Sequence, residues 1–137
     1  MIGLAAARRR GALILAGIAS LALPAFAAAP QIDALSKLER GRWQVRELDG
    51  ATPSVSLCIG DPALLLRFEH RGERSCSSEL LASGAASRTV QYTCRGRGFG
   101  HSHLRVETPR SVRIDSQGLS RGRPFSYRLE ARRTGAC

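Results

Sequence analysis

The sequence predicts a mainly β fold: a small antiparallel barrel or sandwich of about seven strands, with one or two short helices and disulfide bonds. Short segments that alternate apolar and polar residues recur along the chain, and Gly, Asp and Pro turn signals separate them. Four cysteines in a chain of 137 residues point to disulfide stabilisation. No internal repeat or low-complexity linker interrupts this pattern, which favours a single domain.

Residues 1–27 have the organisation of a signal peptide rather than of a folded element. Three arginines, Arg8 to Arg10, precede the apolar run 11–23, which is too short to span a bilayer comfortably, and Ala25-Phe26-Ala27 fits a cleavage site. No cysteine follows closely enough for a lipid anchor. We therefore expect export to the periplasm of a Gram-negative bacterium, with residues 28–137 as one β-rich, disulfide-stabilised domain that contains no transmembrane segment.

The exported part begins with a predicted short helix over residues 31–40, followed by two predicted strands. Residues 42–48 alternate around Trp43 and Val45, and Asp49-Gly50 then signals a turn. Residues 54–59 form the second strand, with Val55, Leu57 and Ile59 on one face. This register leaves Cys58 on the opposite face from these apolar side chains.

A helical turn and a cysteine-flanked hairpin are predicted next. Asp61-Pro62 has the residues of a helix N-cap and first turn, and residues 69–75 are polar enough for a loop. Residues 76–94 are symmetric about Ala85, so a hairpin would place Cys76 directly opposite Cys94. Opposed strand residues have Cα atoms roughly 4.5 to 5.5 Å apart, which a disulfide tolerates.

The last third of the chain predicts a glycine-rich turn and three more strands. The glycines of residues 95–100 favour turning or bulging of a sheet over a phosphate cradle, because no helix and no Lys-Ser/Thr follow them. Strands are predicted at 101–107 and 110–116, with a turn at Gln117-Gly118. Residues 123–132 then alternate most cleanly, with Phe125, Tyr127 and Leu129 on the inward face.

The four cysteines allow three disulfide connectivities. We rank Cys76 with Cys94 plus Cys58 with Cys137 first, and the sequential pairing of Cys58 with Cys76 and Cys94 with Cys137 second. Spacings of 18, 18 and 43 residues contain no C-x-x-C pair, so a structural zinc site is disfavoured.

The charge of the chain narrows the classes of partner. Without the three arginines of the signal peptide, 18 of the 21 basic residues remain against 11 acidic ones, a formal charge of +7. Only Lys37 is a lysine, a bias that a GC-rich genome produces by itself. The basic residues are scattered and little interleaved with aromatics, which speaks against nucleic acid. An anionic envelope component is the partner that this charge would favour.

Residue types with catalytic or metal-binding chemistry are sparse. His101 and His103 lie two apart on one predicted strand and would share a face, which suits zinc or copper. A third ligand would have to come from His70 or from a carboxylate such as Glu107. No Ser motif or Cys-His nucleophile is present, so we predict no catalytic residue, no enzyme activity and no cofactor.

Several short motifs in a fixed order resemble a known family. They are Gly41-x-Trp43-x-Val45, Cys58 before a proline- and leucine-rich turn, Cys76 and Cys94 flanking a hairpin, the glycines after Cys94, and Gly135-x-Cys137. Over residues 41–137 the chain resembles the exported bacterial proteins called domain-of-unknown-function family 3617. The resemblance implies export and a β-rich, disulfide-bonded fold, and it implies no activity.

Three functions of different classes are compatible with the sequence. We rank first a non-catalytic periplasmic domain that binds or stabilises an envelope component. The second is a small barrel that binds one apolar ligand, suggested by the aromatic residues Trp43, Tyr92, Phe125 and Tyr127. The third is a metal-binding module that uses His101 and His103.

Overall fold

The computed structural model describes residues 33–137, so the predicted signal peptide lies outside the described residues. Seven antiparallel strands form one sheet in the order β2-β1-β7-β6-β5-β4-β3. The mainly β fold with about seven strands is confirmed. The strands are β1 Gly41–Glu47, β2 Val55–Ile59, β3 Cys76–Ser83, β4 Ser87–Cys94, β5 Gly98–Thr108, β6 Ser111–Ser120 and β7 Arg123–Gly135.

The chain crosses from one edge of the sheet to the other between β2 and β3. This connection contains a 3₁₀ helix, Pro62–His70, which we call the crossing helix and which contacts β4, β5 and β6. It begins as predicted, because the Asp61 carboxylate accepts a hydrogen bond from the Ala63 amide at 2.9 Å. It extends to His70 and so includes the start of the predicted loop at 69–75.

The core lies on the face of the sheet that the crossing helix covers. Trp43, Val45 and Ile59 are buried as the alternation predicted, and Cys58 is exposed on the opposite face. We call the core side the inner face and the other side the outer face. Leu65 and Leu66 of the crossing helix belong to the same buried cluster. Burial of these side chains explains why so short a helix stays in place.

The predicted helix at 31–40 is present only as a 3₁₀ turn, Ala34–Lys37. The Asp33 carboxylate caps it by accepting a hydrogen bond from the Leu35 amide at 3.2 Å. Leu35 and Leu38 are both buried against the sheet, so the predicted apolar stripe is confirmed where the structure describes it.

The prediction of a turn at Gln117-Gly118 is wrong, because β6 continues through both residues to Ser120. A Cβ atom on Gly118 would lie 2.7 Å from the Cα atom of Gly100, so this glycine permits a close approach of two strands. The chain turns instead at Arg121 and Gly122, whose φ angles of 52° and 78° are both positive. Two such residues are typical of a type I′ hairpin turn.

Both disulfides have the connectivity ranked first, and the sequential pairing is wrong. Cys76 pairs with Cys94 across β3 and β4 at a Cα–Cα distance of 4.0 Å, and Cys58 joins Cys137 at 5.7 Å. The hairpin register is confirmed from Cys76 to Leu80. A bulge then shifts it by one residue, so Ala82 pairs with Thr89.

Candidate functional site

Two tight turns of identical sequence lie side by side at one end of the sheet. Arg-Gly-Arg occurs at residues 95–97, between β4 and β5, and again at residues 121–123, where Arg121 and Gly122 connect β6 to β7 and Arg123 is the first residue of β7. Gly98 of β5 pairs with Ser120 of β6, and this register brings the two turns together. The amide of Arg121 donates a hydrogen bond to the carbonyl of Arg97 at 2.8 Å. We call residues 95–97 and 121–123 the arginine turns.

Backbone geometry holds the arginine turns in place. Gly96 has a φ of 69°, and Arg121 and Gly122 are likewise in the left-handed region. Gly98, at the start of β5, has a φ of 134°, and a Cβ atom there would collide with the carbonyl of Leu119. The turns are therefore a rigid support for their side chains.

Two of the four arginines of these turns pair with the same carboxylate, that of Glu73. Glu73 lies 3.5 Å from Arg97 Nε and 4.0 Å from Arg121 Nη2. Arg95 and Arg123 are exposed and form no ion pair within residues 33–137. Glu69 lines a groove with Arg121 and Arg123 but forms an ion pair with neither, so the four arginines outnumber the two carboxylates at this end of the sheet.

A buried histidine ties the crossing helix to the first arginine turn. His70 is 3% exposed. Its Nε2 lies 3.3 Å from the carbonyl of Arg97, and its Nδ1 lies 3.1 Å from the hydroxyl of Tyr92. A carbonyl only accepts hydrogen bonds, so Nε2 carries the proton and Nδ1 accepts from Tyr92. Both ring nitrogens are engaged, which gives His70 a structural role.

The Tyr92 hydroxyl remains a proton donor over the whole physiological range. Burial, with a smaller contribution from the negative charge of Glu69, raises the pKa of Tyr92 to about 12. The ring packs against Gly100, where a Cβ atom would lie 2.5 Å from Tyr92 Cζ. Tyr92 therefore supports the end of the sheet and is not an activated nucleophile.

An apolar row lies next to the arginine turns on the outer face. Phe99 is 44% exposed. It pairs in register with Leu119, which pairs with Pro124. We call these three residues the apolar row. Phe99 and Leu119 also line a groove of about 410 Å³ together with Arg95, Arg97 and Arg121.

The histidines suggested as metal ligands do not gather a third ligand. His101 and His103 share the outer face as predicted, and His103 Nδ1 lies 2.8 Å from Thr89 Oγ1. His70 is buried on the inner face, and Glu107 is bound by Arg113 at 2.6 Å. Within residues 33–137, no group of three His, Cys, Asp or Glu residues is placed to hold a metal ion.

The aromatic residues suggested for an apolar ligand are used in packing. Trp43 and Tyr92 are 0% and 1% exposed in the core. Phe125 stacks on Tyr127 with ring centroids 5.4 Å apart, and Phe68 of the crossing helix meets the edge of Tyr127. Trp43 and Tyr92 are therefore closed off from ligands, whereas Phe125 and Tyr127 pack on each other and also line open grooves at the surface.

The arginine turns were recognisable only through a short repeat. Residues 95–99 are Arg-Gly-Arg-Gly-Phe and residues 121–125 are Arg-Gly-Arg-Pro-Phe. Arg-Gly-Arg also occurs at residues 40–42, so the tripeptide by itself does not mark the two turns. Even with the repeat noticed, the sequence does not show that the two copies lie together, because 23 residues of chain separate residue 97 from residue 121.

No protein-family model, curated protein or solved structure matches this chain. Membership of family 3617 therefore stays a prediction. Among residues 33–137 there is no helix with the length and apolar character needed to cross a membrane.

Proposed function

We propose that this chain is an exported, non-catalytic domain that binds an anionic component of the cell envelope through the arginine turns. The observation that carries the proposal is the charge of these turns: among residues 33–137 their four arginines have one ion-pair partner, Glu73, which binds Arg97 and Arg121 and leaves Arg95 and Arg123 unpaired. Uncompensated cations on a rigid surface attract anions and raise the rate of their association.

The chemistry of arginine suits phosphate-bearing envelope components. A guanidinium group presents several donors in a fixed fork, which matches the oxygens of a phosphate or carboxylate. Arg121 is 73% exposed and Arg97 is 50% exposed, so both can reach a ligand without a change in the fold. Binding on this surface would be screened by salt, because the interacting charges are exposed.

Export is part of the same proposal. It is supported by the signal-like residues 1–27 and by two disulfides, which persist in oxidising compartments such as the periplasm. The resemblance to the exported proteins of family 3617 also supports it, and we propose that the chain belongs to that family.

Retention on lipopolysaccharide and on anionic vesicles tests the proposed function. We expect the oxidised protein to bind both at about 20 mM salt and to be released as the salt concentration rises. The double variant Arg95→Gln/Arg121→Gln should bind about 10- to 30-fold more weakly, since each arginine near an anionic surface contributes about 1 kcal/mol.

The matched control removes the same charge elsewhere. Arg42 and Arg105 are exposed outer-face arginines without an ion pair in the described part of the chain. The variant Arg42→Gln/Arg105→Gln should therefore bind with an affinity within about threefold of the unmodified protein. Equal losses in the two double variants would contradict a site at the arginine turns, and no retention even at low salt would contradict the function.

A further inference from the structure

We propose that the anionic component is the lipid of a bilayer surface: the arginine turns bind phosphate headgroups, while the apolar row contacts the hydrocarbon below them. This inference rests on the proposed function and names its ligand class. It depends on the placement of charged and apolar side chains next to each other at one end of the sheet.

Phe99 is a large apolar side chain that the fold leaves uncovered. It is 44% exposed on the outer face, over which the described residues place no second layer. Its outer-face neighbours in register are Thr93 of β4 and Leu119 of β6, and they leave nearly half of the side chain exposed. An exposed aromatic residue with apolar neighbours in register is a feature of binding surfaces rather than of ordinary solvent-facing strands.

The apolar row spans three adjacent strands. Phe99 of β5, Leu119 of β6 and Pro124 of β7 follow one another in register. The close approach of β5 and β6 at Gly98 and Gly118 fixes this row relative to the backbone. A rigid apolar surface loses little conformational freedom on binding.

Charge and apolar surface meet within one groove. Arg95, Arg97 and Arg121 line the same groove of about 410 Å³ as Phe99 and Leu119. A soluble polyanion would bind the arginines and leave the apolar row exposed to water. A lipid uses both, because its phosphate and its acyl chain lie on opposite sides of the bilayer interface.

Other exposed apolar residues lack this combination. Leu80 and Leu81 of β3 are 51% and 48% exposed, as much as Phe99. They lie toward the tip of the β3–β4 hairpin, whereas the Cys76–Cys94 end of that hairpin leads to the arginine turns. Leu81 is therefore a matched control for Phe99.

The first experiment compares two anionic probes. Binding of the oxidised protein is measured to vesicles of phosphatidylglycerol in phosphatidylcholine and to soluble polyphosphate. Replacement of Phe99 by serine should weaken vesicle binding about tenfold, because its partial burial in hydrocarbon is lost, and should leave polyphosphate binding unchanged. Replacement of Leu81 by serine should change neither.

The second experiment locates the side chain in the bilayer. The protein has one tryptophan, Trp43, which is fully buried and gives a constant background. With vesicles whose acyl chains carry bromine, the fluorescence of Phe99→Trp should be quenched, and that of Leu81→Trp should not. This substitution keeps an aromatic side chain at position 99 and so tests the proposal even if the serine variant fails to fold.

The outcomes separate the two proposals. Vesicle binding that is unaffected by Phe99→Ser, with no quenching of Phe99→Trp, would overturn the lipid assignment and leave anion binding by the arginine turns intact. Absence of binding to both vesicles and polyphosphate at low salt would overturn the proposed function and this inference with it.

Discussion

At the scale of single residues, Glu130 is a carboxylate that the outer face keeps almost out of water. It is 3% exposed and lies between Arg46 and Arg132. Its Oε2 accepts from Arg46 Nε at 2.7 Å, and its Oε1 accepts from Arg132 Nη2 at 2.7 Å. These hydrogen bonds, Arg132 first and Arg46 second, lower the pKa of Glu130 from an ordinary 4.5 to about 2.

The lowered pKa of Glu130 predicts a pH dependence of stability. In the unfolded chain the Glu130 carboxylate is protonated near pH 4.5, and in the folded chain only near pH 2. The ionised Glu130 therefore contributes its full share to the free energy of unfolding above about pH 4.5. This contribution is lost as the pH falls from there toward 2. At pH 7 the variant Glu130→Gln should unfold with a free energy about 1–3 kcal/mol lower, and the difference should shrink toward pH 2.

Urea unfolding followed by Trp43 fluorescence at several pH values measures this difference. Glu79→Gln is the control, because Glu79 is an exposed strand carboxylate with no ion pair among residues 33–137. A loss in Glu130→Gln that is the same at pH 7 and pH 2.5 would show that packing, rather than ionisation, explains the role of Glu130.

At the scale of elements, the sequence predicts strands well and the end of β6 wrongly. The alternation around Trp43 and along residues 123–132 is local, so it can be recognised without knowing which strand pairs with which. Gln117-Gly118 has the composition of a turn, yet Gly118 is needed inside a strand because the backbone of Phe99 passes close to it. A contact between distant residues decides this case, and a local pattern cannot show it.

Because β5 and β6 approach closely at Gly118, we expect a single added methyl group there to lower the stability of the fold. In Gly118→Ala the new Cβ would collide with the Phe99 carbonyl, so the free energy of unfolding should fall by about 1–3 kcal/mol. Gly72→Ala is the matched control, since no heavy atom lies within 4 Å of a Cβ there and its φ is not in the left-handed region. Thermal unfolding of both variants measures the difference in their stability. Equal unfolding midpoints would contradict a close approach of β5 and β6 at Gly118.

At the scale of the whole molecule, the sequence predicts the charge of the surface but not its location. The basic residues look scattered along the chain, and nothing local distinguishes Arg95 or Arg121 from the others. They meet because β5 and β6 pair from Gly98 and Ser120 onward, a register that only the folded sheet defines. The candidate site is therefore a product of topology, whereas the disulfides follow from hairpin symmetry and from the number of cysteines.

The same topology gives the two disulfides unequal roles. Cys76 and Cys94 are 18 residues apart in sequence and join the neighbouring strands β3 and β4. Cys58 and Cys137 are 79 residues apart and join the edge strand β2 to the chain beyond β7. In the chain-entropy model the shorter loop stabilises the fold by about 3 kcal/mol and the longer loop by about 4.5 kcal/mol. The variant Cys58→Ser/Cys137→Ser should therefore lose more stability than Cys76→Ser/Cys94→Ser.

Urea unfolding of both double variants measures this difference, with a free-thiol titration of the denatured, unreduced protein to verify that each remaining bridge has formed. β2 has five residues and a partner strand on one side only, so without Cys58–Cys137 it is held by its pairing with β1 and by the packing of Ile59 in the core. A larger loss in Cys76→Ser/Cys94→Ser would mean that local support of the hairpin beside the arginine turns outweighs loop closure. In that case the stability of the molecule would depend mainly on the end of the sheet that carries the proposed binding surface.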